Sequence, residues 1–74
     1  MVNVFKTDVQ SAVAAGNVIS DLLQIYPYLK VTFDLEDEDK MMRVEGFFFT
    51  ADDVIICLKE NGYRGIYLPI DFDQ

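Results

Sequence analysis

Residues 28–46, "YLKVTFDLEDEDKMMRVEG", decide the fold. Val31, Phe33 and Leu35 alternate with Thr32, Asp34 and Glu36, and beyond the acidic run Glu36 to Asp39 the alternation resumes, Met42 and Val44 against Met41, Arg43 and Glu45. A period of two sends successive side chains to opposite faces of an extended chain. The stretch therefore reads as two strands, near 30–36 and 40–46, joined by the acidic turn into a β-hairpin.

Upstream of the hairpin the period changes. From Val9 to Tyr26 the apolar residues Ala12, Ala15, Ile19, Leu22, Leu23 and Tyr26 recur at intervals of three and four, which predicts a helix over about 9–26 that Pro27 stops. Thr7, followed three residues later by Gln10, has the form of a capping box at its start. Before it, "VNVFK" at 2–6 alternates again and reads as a strand with Val2 and Val4 inward. Downstream, Thr50 offers an N-cap, Asp52 and Asp53 suit the positive end of a helix, and "VIICLKENG" runs to a stop at Asn61-Gly62. "YRGIYL" at 63–68 makes a last strand that Pro69 closes.

The order strand, helix, strand, strand, helix, strand is that of an α+β, ferredoxin-like βαββαβ sandwich: an antiparallel four-stranded sheet ordered 4-1-3-2 with two helices on one face. One domain over 1–69 is expected, with 70–74 as a tail. Its core is read as Val2, Val4, Ala12, Ala15, Ile19, Leu22, Val31, Phe33, Leu35, Val44, Val54, Leu58 and Ile66.

Composition narrows the partners. The 74 residues are 51% hydrophobic, well above the range of disordered chains, and thirteen acidic against six basic side chains give a net charge of -7. Such a surface repels phosphate backbones and anionic headgroups, so nucleic acid and membrane are poor partners. No run approaches the roughly 18 apolar residues of a spanning helix, and the N-terminus lacks the pattern of a secretory leader. Cys57 stands alone, which suits a cytoplasmic setting, and the chain has no histidine. Triads, His-based zinc sites and Cys-His dyads are excluded by that inventory.

Length, element order and the stretch "TADDVIICLKENGYRG" at 50–65 resemble the heavy-metal-associated family of copper chaperones and metal-pump modules, over about residues 2–68. The resemblance implies a first loop carrying Met-x-Cys-x-x-Cys, whose two thiolates hold a soft ion such as Cu(I). Here the matching positions hold Thr7, Val9 and Ala12. The scaffold is expected without its ligands, and restoring them as Val9→Cys and Ala12→Cys is expected to restore Cu(I) binding. Cys57, within the second helix, reads as a small packed hydrophobe.

Three surfaces are candidates. The first-loop end would gather Thr7, Asp8, Val9, Gln10 and Tyr63, with Asp8 turned towards the acidic turn; a solvated turn outweighs a Ca(II) site there, because a dedicated site needs six to eight oxygens. The opposite end would hold Tyr26, Pro27 and Tyr28 with Phe47, Phe48 and Phe49, of which at least one should lie at the surface as part of a partner patch. The open sheet face would expose Phe5, Met41, Arg43 and either Tyr67 or its neighbours, a surface for a protein partner or a homodimer.

The residues favour a small binding or regulatory module with no cofactor and no bound metal. The alternative is a metal carrier with non-canonical ligands, drawn from Asp8, the acidic turn or Cys57. A small-molecule sensor resembling the ACT domains is a further reading of the same topology. An enzyme has least support: there is no histidine, no activated nucleophile arrangement and no glycine-rich phosphate loop.

Overall fold

The computed structural model describes residues 1–69. In chain order it contains β1 (Val2–Thr7), α1 (Ala12–Ile25), β2 (Lys30–Asp34), β3 (Met41–Glu45), α2 (Ala51–Glu60) and β4 (Gly65–Leu68). The strands form one antiparallel sheet in the order β2-β3-β1-β4, and the two helices cover one of its faces. This is the ferredoxin-like βαββαβ arrangement that the alternating periods predict. The tail at 70–74 lies outside the described residues.

The hairpin sets the sidedness of the sheet. Val31 lies opposite Val44 and Phe33 opposite Met42, and all four turn towards the helices, as their alternation predicts. Residues directly opposite each other share a face. Because β1 pairs Asn3 with Val44 and Phe5 with Met42, it is Asn3 and Phe5 that enter the helix side, and Phe5 is fully buried at 0% exposure.

This corrects the expected phase of β1. Val2 and Val4 lie on the open face, Val4 between Arg43 and Leu68, and Ile66 joins them there opposite Lys6. Phe5 is thus core and not a partner surface. Its ring stacks, tilted, against Tyr67 at 5.6 Å, which puts Tyr67 on the helix side as well. In β1, strand alternation alone left two phases open, and the large aromatic took the interior while the smaller valines faced out.

The helix starts also differ in one place. α1 is capped by Ser11, whose Oγ accepts from the Ala14 N–H at 3.1 Å, and the helix begins at Ala12 and not at Val9. Thr7 caps nothing. Its hydroxyl donates to the Lys40 carbonyl at 2.7 Å and accepts from the Val9 N–H at 3.2 Å, tying the end of β1 to the start of β3. With the helix shifted, Ala12 is exposed, while Ala14, Ala15, Val18 and Leu22 make its buried stripe.

α2 follows the expected chemistry closely. Thr50 Oγ1 accepts from the Asp53 N–H, Asp52 and Asp53 occupy the first turn, and Lys59 the last. At its end the Gly62 N–H bonds the Lys59 carbonyl and the Tyr63 N–H the Leu58 carbonyl, both at 2.9 Å, with Gly62 at φ 89°. That pair of bonds closes the helix, and only a left-handed residue allows it. Cys57 packs between the helices, 4% exposed, its thiol directed at the Val18 carbonyl.

Phe5→Ala should cost about 3–5 kcal/mol in denaturant unfolding, as expected for a fully buried aromatic. Val4→Ala, which strips half-exposed atoms from the open face, should cost about 1 kcal/mol. Equal losses at the two positions would put β1 in the opposite phase.

Candidate functional site

The connections divide between two ends with different chemistry. At one end lie the first loop, the hairpin turn and the α2–β4 connection. The Thr7 N–H bonds the Asp39 carbonyl at 3.1 Å, Lys6 pairs with Asp39 at 3.4 Å, and the Asp8 carboxylate accepts the Arg64 N–H at 2.8 Å. All three connections meet, as their order in the chain predicts. Their side chains are committed to holding the loops together.

Most residues of the first-loop end have such a place. Thr7 grips Lys40 and Asp8 grips Arg64, while Tyr63 packs against the core and Gln10 is exposed. Val9 is fully buried, so its inclusion in a loop-end binding surface is corrected: it is part of the core. Ala12, the other position that the resemblance assigns to a ligand, is exposed.

Other sulfur is dispersed. Met42 is buried in the core while Met41 lies on the opposite face, and burial, with help from Asp21 and Glu60, pushes the Cys57 thiol above its ordinary value. A buried, protonated thiol is a poor soft-metal ligand. Among the described residues no three Cys, Asp or Glu side chains converge as a metal site would require.

The other end is apolar. Gly46, whose N–H bonds the Met1 carbonyl at 3.0 Å, turns the chain out of β3 against Leu29, and the three phenylalanines follow. Phe49 turns inward at 6% exposure, so it is core and leaves the predicted partner patch. Phe47 and Phe48 turn outward at 65% and 90%, with ring centroids 6.4 Å apart. Exposed Tyr28, Ile25 and Met1 extend the same apolar end.

Phe48 is held there against its own preference. Its φ of 60° lies in the left-handed region, which costs an L-residue roughly 1–2 kcal/mol. The Tyr28 hydroxyl donates to the Phe48 carbonyl at 3.2 Å and fixes the turn. Tyr28 in turn packs edge-on to Tyr26 at 6.2 Å, and the Tyr26 hydroxyl donates to the Asp53 carboxylate in the first turn of α2. A chain of contacts thus runs from α2 to the exposed loop.

The open sheet face is the third surface. Val2, Val4, Thr32, Met41 and Arg43 line a shallow depression of about 420 Å³ there. Met41 and Arg43 lie on it as predicted. Arg43 is engaged by Glu45 at 3.4 Å, so the face offers a mixed surface and not a continuous apolar one.

Sequence reasoning placed Phe47 and Phe48 in a candidate surface but could not choose among the three phenylalanines. The signal that separates them is spacing to the cap: Phe49, immediately before Thr50, is the residue that can staple onto α2. Comparison of the chain with family models, curated proteins and solved structures finds no match to any of them. No helix is long and apolar enough to cross a membrane among the described residues.

Two outcomes follow from this geometry. Phe48→Asn should raise stability by about 1 kcal/mol, because asparagine accepts the left-handed conformation and the replaced ring is almost wholly in water; no gain would mean that the turn is unstrained. The bond to Asp53, followed by partial burial, raises the Tyr26 phenol above its ordinary value. A group raised on folding stabilises fully below its unfolded value of about 10 and loses that contribution as pH climbs through the raised value. Tyr26→Phe should therefore lower the melting temperature at neutral pH by an amount that shrinks above about pH 10; a pH-independent gap would rule out the hydroxyl as the tie.

Proposed function

We propose that this chain is a protein-binding module, a heavy-metal-associated-like scaffold without the family's soft-metal site, which docks a partner through Phe47 and Phe48. The observation that carries the reading is a conflict. Two adjacent aromatics stand 65% and 90% exposed on a turn that forces one of them into left-handed backbone. Both features cost the free protein stability, and strained backbone of this kind gathers where a surface is used. Burying a phenylalanine side chain in an interface recovers about 1.5–3 kcal/mol, which offsets both.

A catalytic role has little to support it. The chain has no histidine, and its one thiol is buried and raised in pKa. Metal carriage has as little, since Val9 faces the core where the resemblance calls for a ligand and the sulfur atoms are scattered. A lone buried cysteine and a net charge of -7 suit a cytoplasmic protein whose partner is another protein.

The test replaces the two outward rings together. A Phe47→Asn, Phe48→Asn variant should fold with unchanged circular dichroism. It should lose the specific set of proteins that the unaltered chain, with a photo-crosslinker at Tyr28, captures in lysate. Capture of the same set by the variant would overturn the reading. Tight one-to-one Cu(I) binding by the unaltered chain under a competing chelator would favour the metal carrier instead.

A further inference from the structure

β4 closes the sheet on one side. It pairs with β1 alone, so one edge of its backbone has no neighbouring strand among the described residues. Beside that edge, α2 and β4 enclose a groove of about 390 Å³ lined by Ile55, Lys59, Tyr63, Arg64, Gly65 and Ile66. The groove exists because Gly65 carries no side chain: a Cβ there would stand 2.5 Å from Leu58 Cδ1, so α2 packs directly on the strand's backbone. Ile66, 58% exposed, extends the apolar surface past the edge.

The charge of this groove opposes that of the molecule. In a chain of net charge -7, the charged residues that line it are both cations, Lys59 and Arg64, and no carboxylate does. Neither enters an ion pair among the described residues; the two pairs formed use Lys6 and Arg43. An open strand edge supplies main-chain donors and acceptors, the groove supplies apolar contact, and the cations supply a sign.

We propose that the β4 edge binds an extended acidic segment of another protein, which adds as a fifth strand and lays apolar side chains into the groove while its carboxylates meet Lys59 and Arg64. A second copy of this chain fits less well. Pairing β4 with β4 brings the same two cations of each copy towards one another, inside two molecules that already repel. This site is separate from the Phe47–Phe48 end, and its test is independent of that reading.

The probe is an end-blocked Glu-Val-Glu-Ile-Glu-Val-Glu peptide, with its Lys-for-Glu counterpart as control, titrated into the full chain and followed by amide chemical shifts and hydrogen exchange. The acidic peptide should shift and protect the amides of Gly65, Ile66, Tyr67 and Leu68 and bind at least about tenfold more tightly than the basic one, a difference of about 1.4 kcal/mol. A Lys59→Glu, Arg64→Glu variant should reverse the preference, and Phe47→Asn with Phe48→Asn should leave it unchanged. Equal binding of the two peptides, or shifts that avoid these amides, would overturn the proposal. Protection of the same amides by concentration alone, with dimers in sedimentation, would overturn it in favour of a second copy.

Discussion

One row of side chains runs across the whole sheet: Phe33, Met42, Phe5 and Tyr67, each opposite the next in β2, β3, β1 and β4. Everything else is arranged around which way that row faces. Turned towards the helices, it gives a small domain four large side chains over which α1 and α2 can close. A chain of this length buries only about 60% of the surface it exposes when unfolded, so the interior has to be built from its largest groups. Turning the row outward would leave only Val2 and Val4 of β1 for the interior, and it would expose three aromatics and a methionine.

That constraint explains both the accuracy and the failure of reading the sequence. The hairpin was legible because apolar and polar residues alternate from Val31 to Glu36 and again from Met42 to Glu45. The second helix was legible because its cap, its first-turn acids and its Asn61-Gly62 end are all local signals. β1 was not, because "VNVF" places a polar residue in the phase of its largest aromatic. There the competing valines are settled only by pairing with β3, which no local pattern records. The start of α1 failed for a related reason. Thr7 and Gln10 have the spacing of a capping box, but Thr7 is recruited by Lys40, thirty-three residues along the chain, and the plainer Ser11 takes the cap.

The candidate site shows the same division. Chain order alone brings three connections to one end and the phenylalanine run to the other, and both gatherings were readable. Which ring points outward was not, since it depends on Phe49 joining the core and on Gly46 turning against Leu29. The family resemblance misleads in a similar way at Val9. Its position in the first loop matches a ligand, yet in this chain the side chain is fully buried in the core, and the residue serves packing.

The distribution of charge then bears on what the apolar end can do. An exposed pair of phenylalanines on a neutral protein invites self-association, whereas here two copies approaching each other carry -7 apiece. Screening at physiological salt weakens that repulsion beyond about 8 Å but leaves it at contact distances. Asp52 and Asp53 follow the aromatic turn directly, and Glu45 precedes it. A surface of that composition disfavours a second copy and favours a partner that is apolar at the centre and neutral or basic at the rim. In the proposed docking role, that acidity sets the sign of the protein that would cover Phe47 and Phe48.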